Sequence, residues 1–162
     1  FPGCLVELDF ERAVLRVSAP DARSGVALAV QPLFMAGGCP HVRVHVPGHA
    51  ERLFLLDTGA NRTRLIAPLR SRAGAGARTS RAASAGGANT QIWALDRAVA
   101  ITITIAELAW RWDAPQLMAA KPSGFAGEFS AGGMVGMDFL SGRVLTLDLA
   151  QAELRIAGPS SR

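Results

Sequence analysis

The sequence predicts an all-β protein. Short apolar runs, several of them alternating with polar residues, follow one another along the 162 residues and are separated by turns. The clearest run is Ile101-Thr102-Ile103-Thr104-Ile105, in which every second residue is apolar, as in a strand with one buried face. Because 49% of the residues are apolar, the chain can bury one core, and a single main domain is expected.

Each predicted strand is a short apolar or alternating run that ends at a turn signal. These runs cover residues 4–10, 14–17, 26–30, 41–46, 52–56, 78–83, 91–95, 99–105, 116–118, 143–149 and 153–156. One short helix is predicted at residues 137–141, directly before Gly142. Trp93, Trp110 and Trp112 are predicted to cover the core rather than to line a cofactor site.

A single carboxylate stands on a tight turn directly after one of these strands. Asp57-Thr58-Gly59-Ala60 follows the apolar run at residues 53–56. The strand fixes the backbone before the aspartate, Gly59 tolerates the dihedral angles of a sharp turn, and the Thr58 hydroxyl can hold the loop. This arrangement predicts an aspartate used in acid–base chemistry.

A second apolar segment with a glycine lies near the end of the chain. Met134-Val135-Gly136 comes about 80 residues after the aspartate and precedes the strand at residues 143–149. An Asp-Thr-Gly turn followed at this distance by an apolar-apolar-Gly segment resembles the retropepsin-like aspartic proteases, in particular their bacterial branch. The resemblance extends over residues 26–156.

This resemblance implies a fold and an activity. The fold would be a closed β-barrel lobe with a flap hairpin and one short helix, and the activity that of an aspartic endopeptidase. Asp57 would be the catalytic acid/base, and Thr58 would hydrogen-bond across a twofold axis. Gly59 and Ala60 would line the main chain of a polypeptide substrate.

The same resemblance assigns a supporting role to the late segment, and the sequence also departs from the family there. Val135 and Gly136 would pack against the Asp-Thr-Gly loop, where glycine lets two backbones approach closely. Retroviral relatives carry an acid at position 61 and an arginine at position 137, whereas this chain has Asn61 and Met137. An ion pair within the lobe is therefore missing. A flap tyrosine is missing too, because the chain contains no tyrosine.

A glycine-rich segment between the two motifs is predicted to form the flap that closes over substrate. It lies between the candidate strands at residues 78–83 and 91–95, which suits the tip of a mobile hairpin. The residues at the tip would be Ala85, Gly86, Gly87 and Ala88. The alternative is an ordinary surface loop, because residues 71–89 are rich in Ala, Gly, Ser and Arg.

Aspartic-protease chemistry needs two aspartates, and one such lobe supplies one. The second would come from a homodimer, in which Asp57 faces its own copy, or from an upstream homologous lobe. Two carboxylates about 3 Å apart cannot both ionise, so they share one proton. The charged one would take a proton from water while the protonated one polarises the scissile carbonyl, without a metal or cofactor.

The two ends of the chain resemble each other. Residues 1–17 align with residues 140–156 at a constant offset of 139 residues, the distance from Gly3 to Gly142. The matching residues are Gly3, Leu8, Asp9, Ala13, Leu15 and Arg16 with Gly142, Leu147, Asp148, Ala152, Leu154 and Arg155. Either two amphipathic hairpins look alike by chance, or residues 1–17 are the tail of an upstream copy of the lobe. In the second case residues 18–25 would be a linker and residues 26–162 the protease lobe.

Charge suggests a rival function, nucleic-acid binding, which the sequence disfavours. The net charge is +4, and Lys121 is the sole lysine. A basic cluster follows the Asp-Thr-Gly turn and comprises Arg62, Arg64, Arg70, Arg72, Arg78 and Arg81. No aromatic residue lies among them for base stacking, and a GC-rich genome explains the arginines more simply. The other rival is a non-catalytic peptide-binding module that keeps the protease fold.

The remaining candidate ligands predict no metal site. His41, His45 and His49 recur every four residues in what reads as a strand and turn, where that step spans roughly 13 Å, so they are expected at the surface. Cys4 and Cys39 match no metal or redox motif, although they could pair in an oxidising compartment. No apolar stretch approaches the length of a membrane span. Since the chain starts at Phe1 rather than Met, a processed product or a fragment is expected.

Overall fold

In the part of the chain that the structure describes, β-strands follow one another and a single short helix precedes the last two strands. The computed structural model describes residues 3–20, 26–66, 79–81, 92–95, 100–113, 116–118 and 132–158. The strands are β1 (Leu5–Asp9), β2 (Val14–Ser18), β3 (Ala29–Pro32), β4 (Phe34–Ala36), β5 (Cys39–His45), β6 (Arg52–Leu56), β7 (Arg64–Ile66), β8 (Thr79–Arg81), β9 (Ile92–Leu95), β10 (Ile101–Ile105), β11 (Leu108–Trp112), β12 (Gln116–Met118), β13 (Gly133–Val135), β14 (Val144–Asp148) and β15 (Glu153–Ala157). The helix α1 covers Met137–Leu140.

These strands form two sheets. The first has five strands in the order β2-β1-β14-β15-β3, with every neighbouring pair antiparallel. The second has ten strands in the order β11-β10-β5-β6-β13-β7-β12-β9-β8, and β4 pairs with β5. It forms a half-barrel, and the predicted all-β fold with one short helix is confirmed.

The core lies where the inner faces of the two sheets meet α1. Ile103 and Ile105 of β10 are fully buried, as their alternation with threonine predicts. Phe54 of β6 and Phe139 of α1 are also fully buried and belong to the same cluster. This cluster packs the strand that ends at the Asp-Thr-Gly turn into the core.

Four strands depart clearly from the prediction. β3 starts at Ala29 and includes Pro32, which is tolerated because β3 is an edge strand of its sheet. β4 and β7 were not predicted, since three residues give too little alternation to recognise. β11 was missed because the turn before it, at Ala106 and Glu107, has positive φ angles of 49° and 67° without a glycine or asparagine.

The tryptophans that the structure describes cover the core, as predicted. Trp112 is almost fully buried, and its ring stacks on that of Trp110 with centroids 5.8 Å apart. The Trp110 ring also meets the edge of Phe139 at 5.5 Å. Trp93 lies on β9, and its side chain is outside the described part of the chain.

An arginine contacts the end of the short helix, where the Ser141 amide donates to the carbonyl oxygen of Met137 at 2.9 Å. Arg143 donates to the carbonyl oxygen of Phe139 and lies over its ring, 4.3 Å from the centroid. Burial lowers the pKa of Arg143 from its ordinary value. Gly142 has φ of +70°, a conformation that glycine adopts readily after a helix. No helix in the described ranges is long and apolar enough to cross a membrane.

The histidine prediction was wrong at one position. His41 is buried, because β5 turns it inward, and its Nδ1 lies 2.9 Å from the carbonyl oxygen of Cys39. His45 is exposed and His49 is half-buried. Both cysteines are free thiols in the structure.

Candidate active site

The Asp-Thr-Gly turn is attached to the late glycine segment by backbone hydrogen bonds. β6 and β13 are parallel neighbours, with Val135 opposite Leu56, the last residue before the turn. The Asp57 amide donates to the carbonyl oxygen of Val135 at 3.0 Å, and the Met137 amide donates to that of Ala60 at 2.8 Å. Both ends of the turn are therefore fixed by the segment that contains Gly136.

The turn holds its own aspartate. The Gly59 amide donates to Oδ1 of Asp57 at 2.9 Å, and the Ala60 amide donates to the Asp57 carbonyl oxygen at 3.2 Å. Asp57 is half-buried, whereas Thr58 and Gly59 are exposed. Ala60 is buried against Leu55 and Met134. The carboxylate is thus held at one oxygen on a turn whose tip is open to solvent.

Gly136 is required by the close approach of two backbones. A Cβ atom at this position would lie 2.7 Å from the carbonyl oxygen of Ala60 and 2.6 Å from the carbonyl carbon of Arg62. Both atoms belong to the main chain that continues from the Asp-Thr-Gly turn, so neither can rotate away. Any side chain at position 136 must move the turn relative to β13.

Replacing Gly136 by alanine is therefore expected to destabilise the protein by about 2–3 kcal/mol, the typical cost of forcing extra atoms into a packed region. Urea unfolding of the 162-residue protein measures this change. Gly158→Ala is the matched control, because its added Cβ would meet only Leu28 at an ordinary 3.4 Å. Equal stability of the two variants would contradict the close approach.

A buried hydrogen-bond network adds a second connection between the two segments. Asp138 Oδ1 accepts from the Thr63 hydroxyl at 2.6 Å and from the Thr63 amide at 2.8 Å. The same hydroxyl accepts from the Gly136 amide at 3.1 Å. Thr63 is fully buried. A carboxylate on α1 thereby holds the chain that leaves the Asp-Thr-Gly turn.

Removing the Thr63 hydroxyl should cost stability because it leaves buried polar groups unpaired. Thr63→Val keeps the shape of the side chain but leaves the Gly136 amide and one acceptor position of Asp138 without their hydrogen-bond partner. We expect the free energy of unfolding to fall by about 1–3 kcal/mol. Thr63→Ser keeps the hydroxyl and should lose clearly less. Chemical denaturation compares the two, and a serine variant as unstable as the valine variant would argue against the network.

The structure brings together the predicted residues of the turn and of the late glycine segment. Asp57, Thr58, Gly59 and Ala60 form one turn, and the segment around Gly136 lies against it. The predicted flap tip, residues 85–88, lies outside the described residues. The pair formed by Thr63 and Asp138 was missed, although both lie within a few residues of the recognised motifs. The sequence offered one signal for this pair. Thr63 and Asp138 lie close to Asn61 and Met137, the positions at which the family's ion pair is missing.

Metal-ligand geometry does not occur among the described residues. No group of three histidine, cysteine, aspartate or glutamate side chains comes close enough there to hold an ion. The Asp-Thr-Gly turn itself presents one carboxylate, that of Asp57, which is half-buried.

Comparison with known proteins shows the fold of this chain. No family model matches, and no curated protein has a significant match. A solved structure described as an aspartic proteinase from Irpex lacteus superimposes with a TM-score of 0.52 at 14% sequence identity. The match covers 96% of this chain and 56% of that chain. The chain therefore has the fold of an aspartic protease lobe and spans little more than half of the matching structure.

Proposed function

We propose that this chain is a lobe of an aspartic endopeptidase of the retropepsin-like kind, with Asp57 as one of its two catalytic aspartates. The observation that carries this proposal is the turn itself. Asp57 follows a buried strand, and its carboxylate accepts a hydrogen bond from the Gly59 amide. Its own amide donates to the carbonyl oxygen of Val135, in the segment that contains Gly136. The fold of the chain, matched by an aspartic proteinase structure, supports the same class.

The reaction would be hydrolysis of a peptide bond by one water molecule held between two carboxylates. The ionised carboxylate removes a proton from this water as its oxygen attacks the scissile carbonyl carbon, while the protonated carboxylate hydrogen-bonds the carbonyl oxygen. Collapse of the tetrahedral species breaks the carbon–nitrogen bond, and a proton passes to the leaving amine. The second aspartate would come from a second subunit or lobe.

The resemblance gives the neighbouring residues their proposed roles. Gly59 and Ala60 would line the main chain of the polypeptide substrate, and Thr58 would bond to its counterpart across the twofold axis. Thr58 and Gly59 are exposed, so their polar groups are accessible to substrate and to a partner lobe. Ala85, Gly86, Gly87 and Ala88 would form the flap above them.

The proposal is tested on the assembled protein, that is, this lobe together with the subunit or lobe that supplies the second aspartate. It is incubated with a mixed peptide library at several pH values from acid to neutral. Mass spectrometry of the products should show internal cleavage that depends on Asp57. An assembled protein that binds peptides without cleaving them would instead identify a binding module of the same fold. Cleavage that persists without the Asp57 carboxylate would assign the chemistry to another site.

A further inference from the structure

The two hairpins at the ends of the chain have the same conformation. β1 and β2 correspond to β14 and β15 at the offset of 139 residues found in the sequence, with identical strand boundaries. The turns also agree, since Ala13 and Ala152 have φ angles of 55° and 50°. Asp9 and Asp148 each accept from backbone amides two and three residues ahead, at 2.8–3.1 Å. The two hairpins are therefore alike in strand boundaries, turn conformation and hydrogen bonding as well as in sequence.

A local twofold axis relates these hairpins. In the antiparallel pair of β1 and β14, Glu7 lies opposite Thr146, the residue that corresponds to it at the same offset. The hydrogen bonds that flank the pair obey the same symmetry. The Phe10 amide donates to the Arg143 carbonyl oxygen at 3.1 Å. At the equivalent place the Leu149 amide donates to the Cys4 carbonyl oxygen at 3.0 Å.

Burial breaks this symmetry on one side. Leu154 and Ile156 of β15 are 0% exposed, because they face the core of this lobe. The equivalent residues of β2, Leu15 and Val17, are 63% and 45% exposed. The same apolar face is thus covered at one hairpin and uncovered at the other. Large apolar side chains at symmetric positions indicate that an equivalent body covers both.

Strand pairing breaks the symmetry in the same place. β15 has β3 as its outer neighbour, with Ile156 opposite Ala29 and Glu153 opposite Pro32. β2 pairs with β1 alone within the described ranges and is the edge of its sheet. A lobe related to this one by the same axis would place a strand equivalent to β3 along this edge. An edge strand with exposed apolar residues is a natural place for such an addition.

We propose that the open side of the β1–β2 hairpin is the docking surface for a homologous lobe, encoded upstream of Phe1 on the same polypeptide. That lobe adds a sixth strand beside β2 and covers Leu15 and Val17 with its own core. Because β14–β15 is the last hairpin of the lobe described here, β1–β2 is the last hairpin of the upstream lobe. The lobe would also supply the second aspartate, and this last step alone rests on the proposed function.

A second copy of this chain fits the surface poorly. Around the twofold axis, a copy would have to place its own β14–β15 hairpin beside β14 of the first. The position beside β14 is already occupied by β1 of the same chain. The N-terminal hairpin therefore blocks a homodimer of this symmetry, and the upstream lobe is the occupant that the geometry favours.

Hydrogen exchange measured on two proteins tests this assignment. One is residues 1–162 alone, and the other, the extended protein, also includes the sequence naturally encoded upstream of Phe1. The outward-pointing amides of β2 should exchange about 100-fold more slowly in the extended protein, as for amides that enter a stable sheet. The amides of β14, which is flanked in both proteins, are the internal control. Leu15→Arg should abolish the added protection, whereas Arg16→Gln, on the opposite face of β2, should retain it.

Three outcomes would overturn the assignment. They are equal exchange of β2 in both proteins, an upstream sequence that encodes no homologous lobe, and a stable dimer of residues 1–162 in which β2 is protected. Catalysis is judged separately. An extended protein that protects β2 but cleaves no peptide would retain the docked lobe and reject the proposed function. Asp57→Asn in the extended protein should leave the protection unchanged.

Discussion

Replacing Asp57 by asparagine is expected to lower kcat/KM for peptide cleavage by roughly 10²–10⁴-fold, the usual contribution of a positioned acid–base group. Asparagine has nearly the same shape but cannot take a proton from water at the pH of the reaction. The measurement is the initial rate of cleavage of a library-derived peptide by the assembled protein, compared with the same protein carrying the substitution.

The fold should tolerate this substitution, which makes the rate interpretable. The amide oxygen of asparagine can accept the bond that Oδ1 of Asp57 now accepts from the Gly59 amide. Asp113→Asn is the matched control, because Asp113 is exposed and its ion pair with Arg111 lies at the surface. The control should cleave at the parent rate, and equal rates in all three proteins would remove Asp57 from the mechanism.

Local patterns in the sequence were sufficient to predict most of the fold. β10 buries alternate apolar residues and β6 buries a continuous apolar run, and both patterns are visible in the sequence. The helix prediction was confirmed to within one residue, because Gly142 marks its end. These elements were predictable because their conformation depends on residues adjacent in the chain.

Features that depend on distant partners were not predictable in the same way. The bond between Thr63 and Asp138 joins residues 75 positions apart, and neither residue type indicates its partner. β7 has three residues and exists because β13 and β12 pair with it on either side. The burial of His41 likewise follows from the register of β5 against β6, which one strand cannot reveal.

The candidate site lies between these two cases. The Asp-Thr-Gly turn and the later glycine were recognisable by residue type and spacing, because close backbone approach permits glycine alone. Their contact was expected only from the resemblance to a family, since a parallel pairing of β6 with β13 leaves no local mark in the sequence. The backbone hydrogen bonds of Asp57 and Met137 supply the physical reason for that pairing.

The internal echo offers a stability prediction with a built-in control. Leu154→Ala should destabilise residues 1–162 by about 2–5 kcal/mol, the range for truncating a fully buried leucine. Leu15→Ala, the same substitution at the symmetric position, should change stability by less than about 0.5 kcal/mol, because most of its side chain is already in water. Urea unfolding of both variants gives the two values.

The difference between these two leucines measures how much of the symmetric core is present. Both residues occupy the same register position in hairpins with matching strand boundaries, so hairpin register and turn geometry cancel in the comparison. What remains is the difference in burial and in the outer strand neighbour, since β15 pairs with β3 and β2 is at the sheet edge. In the protein extended upstream, Leu15→Ala should become as costly as Leu154→Ala if the proposed upstream lobe covers Leu15. A cost that stays small there would mean that the upstream sequence does not pack on this hairpin.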